Sequence, residues 1–269
     1  MLIIFIFGLI VGSFLNVCIY RLPRGKSIVS PPSSCPSCNE PIRPWDNIPV
    51  LSYIFLEGKC RKCGERISIR YPAVELLNGI LYWFVFTTFG MGWHLPFLFA
   101  FASAMIVIAL IDLDFQVIPD VITLPGIIIG LFSASFLLPD PFVSILQYSN
   151  TPSLQFPITP LLPVVGFKSS IIGLLLGGGL FYLIAVLSRG GMGGGDIKMM
   201  AMVGAFMGWK AVFLTTFIGS LTGSIVGISL MVFKGKGRKT KIPFGPFLAL
   251  GSVITLFFGG EIIRWYFTF

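Results

Sequence analysis

The sequence predicts an all-α, polytopic membrane protein, a bundle of about eight transmembrane helices with a small polar insert on the cytoplasmic side. Three observations predict this fold. Hydrophobic residues make up 55% of the chain, and the mean hydropathy is +0.91. Only 11% of the residues are charged, whereas a soluble domain carries roughly a quarter. The apolar residues also form runs of about 20, the length that a helix needs to cross the bilayer.

These apolar runs follow one another along the chain and are separated by polar or basic segments. We expect a first transmembrane helix at 1–20, a cytoplasmic insert at 21–72 and a transmembrane core at 73–269. The weak run at 197–208 is short and begins just after Asp196. The runs of spanning length lie at about 2–20, 73–90, 96–112, 121–138, 169–188 and 211–233, and the two weaker ones at about 197–208 and 245–263.

The basic residues orient the predicted bundle, because Lys and Arg concentrate on the cytoplasmic side of membrane helices. With the N-terminus outside, the inner loops receive nine of the 19 Lys and Arg at 21–70, Arg189, and five more at 234–241. Topology and attraction to anionic lipid then explain the formal charge of +8. Membrane lipids are therefore expected partners, and nucleic acid is not. The segment 139–168 becomes an external loop.

The insert contains two CxxC pairs, Cys35 with Cys38 and Cys60 with Cys63, separated by 21 residues. This spacing is typical of a tetrahedral zinc site with four thiolate ligands, in which the metal stabilises a small domain that has no core of its own. Disulfides are the alternative, and the reducing cytosol disfavours them. Four protein ligands leave no open position, so we expect a structural zinc.

Three aspartates follow the third long run, in the segment IDLDFQVIPD at 111–120. Asp112 comes directly after the apolar residues and should lie deepest in the membrane. Asp114 should point to a different side of a helix, and Asp120 stands where the next helix begins and is a candidate N-terminal cap. Ionisable groups at membrane depth are costly, so they indicate function.

A fourth aspartate, Asp196, ends the glycine-rich stretch RGGMGGGD at 189–196. Glycine lets the backbone bend sharply or approach another chain closely; a flexible turn is the alternative interpretation, and a phosphate loop is disfavoured because no GK[ST] follows. Asp112 ends a helix that runs inward and Asp196 begins one that runs outward. Both are therefore expected just beneath the cytoplasmic surface. Two carboxylates in such a low-dielectric site share one proton, as in aspartic proteases.

Two other function classes are compatible with parts of this pattern. Secondary transporters also use broken, glycine-rich helices and buried acids, but the acids here lie at the inner edge rather than at the midplane. A thiol-redox enzyme would use the CxxC pairs and contain no metal. The single histidine, His94, is interpreted as an interfacial residue by an external turn, which disfavours serine or cysteine catalysis. Glu75, at the start of the second span, is interpreted as structural and facing the headgroups.

With these motifs the chain resembles the type IV prepilin peptidases, also called leader peptidase/N-methyltransferases, of the GxGD class of aspartic peptidases. Gly193, Gly194, Gly195 and Asp196 match the family motif Gly-x-Gly-Asp. The resemblance implies that Asp112 and Asp196 form the catalytic pair. The segments that carry it are GSFLNVCIYRLP (12–23), CPSC (35–38), IRPWDNIPVLSY (42–53), GKCRKC (58–63), RYPAVEL (70–76), IDLDFQVIPD (111–120), GMGGGDIK (191–198) and PFGPFLAL (243–250).

The resemblance also implies two activities. Members of the family remove the short, basic leader from type IV prepilins and pseudopilins, after a glycine and before a usually aromatic residue. Many then methylate the new N-terminus with S-adenosylmethionine. The resemblance implies prepilin or pseudopilin substrates, S-adenosylmethionine as the methyl donor, and a place in the bacterial inner membrane with the insert and active site facing the cytoplasm. The insert resembles the region linked to methylation, including Gly58 and Lys59, and 73–269 would be the peptidase core.

Overall fold

The computed structural model describes residues 1–143, 163–188, 192–234 and 243–268. Over these residues the chain is helical and has no strand, only isolated β-bridges such as the one between Ser34 and Pro41. The prediction of an all-α fold is confirmed. The chain divides into two compact units, Met1–Thr87 and Thr88–Phe269.

The described parts of the chain contain eight α-helices and two short 3-10 turns. The 3-10 turns, Leu22–Arg24 and Pro44–Asn47, lie in the insert. The helices are α1 (Leu2–Arg21), α2 (Leu51–Phe55), α3 (Arg70–Phe89), α4 (Leu95–Phe115), α5 (Asp120–Phe136), α6 (Phe167–Leu187), α7 (Gly194–Lys234) and α8 (Gly245–Thr268).

In the first unit, α1 packs closely against α3 at positions that lack side chains. A Cβ atom on Gly8 would lie 2.8 Å from the Cα of Gly79. A polar side chain supports this approach, because Nδ2 of Asn78 donates a hydrogen bond to the Gly8 carbonyl at 2.7 Å. The side chain of Asn78 is thereby satisfied although it is fully buried.

In the second unit, α7 packs against α5, α6 and α8, and α4 packs against α5 and α8. The backbones of α6 and α7 touch, since a Cβ on Gly204 would lie 2.0 Å from the carbonyl oxygen of Gly173. The first half of α7 forms the core, with Met199, Met200 and Val203 fully buried. This packing fixes the start of α7, where Asp196 lies.

Six helices among the described residues are long and apolar enough to cross a membrane: α1, α3, α4, α6, α7 and α8. The apolar helix α5 has only 17 residues. Helix α7 has 41 residues and breaks at Gly208, whose φ of 79° and ψ of 179° are not helical. The predicted runs at 197–208 and 211–233 are the two sides of this break. Each of the eight predicted runs therefore corresponds to one helix or to one side of Gly208.

Three features of the sequence analysis fall outside the described residues. They are Arg189 with the first two glycines of the ladder, most of the predicted external loop 139–168, and the basic segment 234–241 beyond Lys234.

Candidate active site and metal centre

Asp112 lies in the last turn of α4 and is only 6% exposed. The helix ends because Gln116 adopts the left-handed conformation (φ 55°, ψ 39°), and its N–H donates to the Asp112 carbonyl at 2.9 Å. A left-handed residue at this position is a common way to close a helix. Asp114, two residues further on, is exposed. The two aspartates therefore lie in different environments, as predicted.

Asp196 is the third residue of α7 and is 9% exposed. The N–H of Gly193 hydrogen-bonds to its carboxyl group, and an acid in the first turn of a helix is stabilised by the helix dipole. Position 195 needs a glycine, because a Cβ there would lie 2.7 Å from the Cβ of Ile118. The end of the glycine ladder thus lets α7 begin directly against the segment that joins α4 to α5.

The structure brings Asp112 and Asp196 together, close enough for their charges to repel each other. Ile111, directly before Asp112, and Met199, one helical turn after Asp196, are fully buried and apolar. Two carboxyl groups in such surroundings do not ionise together easily and share a proton. A pair of this kind can withdraw a proton from water and donate one to an amide, which is what peptide hydrolysis requires.

A third element reaches this pair through its backbone. The N–H of Gly245, the first residue of α8, donates a buried hydrogen bond to Oδ2 of Asp112 at 3.0 Å. Gly245 was not among the predicted site residues. The available signal was the segment PFGPFLAL (243–250), in which prolines flank a glycine at the beginning of an apolar run, a pattern typical of a helix start.

Asp120 has a different role from the one considered for it. It is the first residue of α5, whose N-cap is Pro119, so the prediction of a capping side chain is wrong. Its carboxylate accepts hydrogen bonds from Nζ of Lys198 at 2.6 and 2.7 Å. This pair joins the start of α5 to the first turns of α7. Both side chains are about half exposed, so the pair contributes little to stability.

Two other polar residues are buried rather than exposed at an interface. Glu75 is 8% exposed, and its Oε2 accepts the N–H of Val50 at 2.8 Å instead of facing the headgroups. Val50 itself has a φ of 60°, an unfavourable value for a β-branched residue. His94 is 7% exposed, and its Nε2 hydrogen-bonds with the Phe89 carbonyl at 3.2 Å. Burial lowers the pKa of His94, so this residue is a neutral part of the α3–α4 turn.

The two CxxC pairs fold into matching knuckles. The N–H of Cys35 donates to the carbonyl of Glu40, and the N–H of Asn39 donates to the carbonyl of Cys35. The same two hydrogen bonds recur at the second pair, with Cys60 and Gly64 in the equivalent positions. Asn39 and Gly64 are both left-handed, with φ of 55° and 72°. Asn and Gly are the residues that adopt this conformation most readily, so the sequence encodes the repeat.

The knuckles bring their four sulfurs within 4.8 Å of one another. The Sγ atoms of Cys35 and Cys63 are 3.8 Å apart, and those of Cys38 and Cys60 are 4.0 Å apart. A tetrahedron with Zn–S bonds of about 2.3 Å has sulfur–sulfur edges of about 3.8 Å. All five cysteines of the chain are free of disulfides. Backbone N–H groups of Cys63 and Lys62 lower the pKa of Cys60 to about 6, which favours the thiolate that a metal needs. The cluster fits a tetrahedral metal ion.

Two family models match the chain. The model described as the Bacterial Peptidase A24 N-terminal domain matches residues 6–89, and that of the Type IV leader peptidase family matches residues 99–228. The four clustered cysteines lie in the first match, and Asp112 and Asp196 lie in the second. No solved structure gives a significant match to the chain.

Curated relatives named prepilin leader peptidase/N-methyltransferase match over nearly their full length. The protein from Pseudomonas aeruginosa is 34% identical over 97% of this chain and 91% of its own. The protein from Aeromonas hydrophila is 35% identical over 99% of this chain and 93% of its own. The protein from Bacillus subtilis is 33% identical over 98% of this chain and 96% of its own.

Proposed function

The chain belongs to the type IV leader peptidase family, and we propose that it is a membrane-embedded aspartic peptidase that removes the basic leader from type IV prepilins and pseudopilins after a glycine. We propose that it then N-methylates the new N-terminal residue. The relatives' shared name contains both activities. The observation that carries the peptidase assignment is the buried pair of Asp112 and Asp196 at the meeting ends of α4 and α7.

In this proposal Asp112 and Asp196 perform the cleavage. One carboxylate takes a proton from a water molecule, whose oxygen bonds to the carbonyl carbon of the scissile peptide, while the other carboxyl group gives its proton to the carbonyl oxygen. The tetrahedral intermediate then loses its C–N bond as the nitrogen gains a proton. The products are a leader with a free carboxylate and a pilin with a free amine, and this amine is the acceptor for methylation.

The four clustered cysteines would hold one zinc ion, and its role would be structural. Four thiolates fill the tetrahedral coordination sphere and leave no position for a substrate or a water molecule. The ion would hold the two knuckles of an insert that buries few of its own side chains. S-adenosylmethionine, when bound, would supply the methyl group, as the relatives' name and the family resemblance imply.

We place the N-terminus outside the bacterial inner membrane, with the insert and the carboxyl pair on the cytoplasmic side. Nine of the 19 Lys and Arg lie at 21–70, next to the inner end of α1 in this orientation. The half-exposed pair of Asp120 and Lys198 supports an aqueous boundary at the first turns of α7, because charged side chains are costly in the hydrocarbon core.

Incubation of the purified protein with a prepilin and S-adenosylmethionine tests both activities in one mass spectrum. We expect loss of the leader and, on the shortened product, the gain of one methyl group. Omission of S-adenosylmethionine should leave the cleaved, unmethylated product. A prepilin that stays intact with the folded wild-type protein would contradict the peptidase assignment. Ion flux through liposomes that requires Asp112, without peptide cleavage, would identify a transporter instead.

A further inference from the structure

We propose that Gly245 is a positioning residue for peptide cleavage: its N–H holds Oδ2 of Asp112, and its lack of a side chain leaves room for that carboxyl group. This inference rests on the proposed function, since it concerns the same carboxyl pair. Gly245 brings no reactive group of its own, so it acts through Asp112.

The hydrogen bond comes from a fixed helix start. Gly245 is the first residue of α8, where N–H groups have no partner within the helix. It donates to Asp112 at 3.0 Å, and both residues are buried. The first turn is held in place because the N–H groups of Phe247 and Leu248 donate to the Phe244 carbonyl at 3.1 and 3.2 Å. The donor therefore keeps its position when the carboxyl group changes its protonation state.

The space around Gly245 belongs to the carboxyl group. A Cβ at this position would lie 2.6 Å from Oδ2 of Asp112 and 3.0 Å from its Cγ. Any other residue must therefore displace either the carboxyl group or the start of α8. Gly251, six residues along the same helix, offers a comparison. Its Cβ would lie 2.7 Å from the carbonyl oxygen of Thr215, so it is packed as tightly but against backbone alone.

The contact has a consequence for the chemistry. With Oδ2 of Asp112 engaged by a fixed donor, Oδ1 is the oxygen left for the water and for the proton shared with Asp196. Hydrogen bonds to an ionised acceptor are stronger than those to a neutral one, so the Gly245 N–H favours the state in which Asp112 is the base. Among the described residues, the titratable groups that lie near the pair along its helices are Asp114 on α4, Asp120 on α5 and Lys198 on α7, and α8 carries none before Glu261.

Gly245→Ala tests the inference, with Gly251→Ala as the matched control. We expect Gly245→Ala to lower kcat roughly 100-fold with KM little changed, as a misplacement of about 1 Å does. The acid limb of its kcat/KM profile should move up by about one pH unit, because the added methyl group separates the Asp112 carboxyl group from the N–H that favours its charge. Gly251→Ala should reduce thermal stability about as much as Gly245→Ala does. It should leave kcat and the acid limb unchanged.

A second variant removes the N–H without adding an atom. Glycolate incorporated at position 245 by a suppressor tRNA replaces the amide N–H with an ester oxygen, and it should shift the acid limb in the same direction. Methylation of an already cleaved pilin shows that each preparation is folded. If Gly245→Ala does not fold, the acid limb of the glycolate variant alone tests the role of Gly245.

Different results would overturn the proposed function and the role of Gly245. Cleavage by the wild type and its loss in Asp112→Asn establish the proposed function. If both hold and both variants at position 245 keep the wild-type kcat and acid limb, the inference is overturned. If the folded wild type does not cleave a prepilin, the proposed function itself is overturned.

Discussion

The two acids of the candidate site lie in terminal turns of their helices, and this position determines their chemistry. Asp112 closes α4 and Asp196 opens α7, and neither is more than 9% exposed. A carboxyl pair in such a place is useful because it holds one proton and one charge. Replacing either acid by the amide keeps the shape of the side chain and removes its ability to accept or release that proton.

We therefore expect Asp112→Asn and Asp196→Asn each to lower the cleavage rate by about 1,000-fold or more. When catalytic residues act as a unit, the loss of one costs nearly as much as the loss of all. The rate is measured by the loss of full-length prepilin, and methylation of an already cleaved pilin should persist. Asp114→Asn is the matched control. It removes the same charge two residues from Asp112, but at an exposed position. Near-normal cleavage by Asp196→Asn would refute the proposed mechanism.

Some of these residues could be predicted from the sequence because their signal lies in their side chains. Asp112 and Asp196 stand beside apolar runs, and a charge at that point is conspicuous. Gly245 contributes a backbone N–H and the absence of a side chain, and neither shows in the sequence which carboxyl group lies against it. The burial of Glu75 depends on Val50, which lies 25 residues earlier in the chain. Contacts of this kind arise only once the chain has folded.

Among the helices, α6 and α7 make the closest backbone approach at glycine positions. A Cβ on Gly204 would lie 2.0 Å from the carbonyl oxygen of Gly173. Membrane helices associate through small residues because the lipid gives no hydrophobic driving force between them. The run at 197–208 looked weak because it is short, yet it includes the best-buried part of α7. Hydropathy measures how apolar a segment is, and packing depends on shape as well.

Gly204→Ala should destabilise the protein by about 1–3 kcal/mol, since the added methyl group forces the backbones of α6 and α7 apart. Gly179→Ala in α6 is the control, because a Cβ there meets nothing within 4 Å. The control should be neutral or more stable by about 0.5–1 kcal/mol, because alanine favours the helix. Thermal unfolding in one detergent compares the two variants, and equal midpoints would show that the contact does not matter.

The knuckles of the insert give a separate prediction at this scale. One zinc per chain should copurify, and Cys35→Ser or Cys60→Ser should lower the zinc content and make the insert sensitive to protease. Cys18→Ser is the control, since this buried cysteine lies in α1 and outside the cluster. Because zinc binds the thiolates and acid protonates them, zinc should be retained at neutral pH and released progressively as the pH falls. Purified protein with four oxidised thiols and no metal would contradict this.

At the scale of the whole molecule, the two compact units nearly coincide with the two family matches. The first unit is Met1–Thr87 and the first match 6–89, while the second match, 99–228, lies within the second unit. Composition placed the insert at 21–72, and the unit extends beyond it because α1 packs on α3. The positions and order of the apolar helices were predictable because the bilayer sets the length of an apolar run, whereas six of the described helices, rather than eight, have spanning length. The grouping of helices depends on glycine contacts that hydropathy does not register.

This division predicts unequal effects of metal removal. The cysteine cluster lies in the first unit and the carboxyl pair in the second. A chelator that strips the zinc should therefore reduce methylation of an already cleaved pilin more than it reduces cleavage of the prepilin. Restoring zinc should restore methylation. Equal loss of both activities, with the second unit still folded, would contradict the assignment of methylation to the first unit and of cleavage to the second.

The orientation of the molecule gives the last prediction. Trp93 lies just before α4 and Leu113 lies in its last turn, and the 21 residues of this helix span about 30 Å. Both side chains are exposed. In the proposed orientation Leu113 lies at the cytoplasmic surface beside Asp112, at the depth of the scissile bond of a substrate whose basic leader stays in the cytosol. A photo-crosslinking amino acid at position 113 should therefore capture a prepilin near its cleavage site, and the same amino acid at position 93 should not. An impermeant thiol reagent added to intact cells should label Trp93→Cys and not Leu113→Cys. Capture from position 93 alone, with labelling at 113, would invert the topology and remove the reason for placing cleavage at the inner surface.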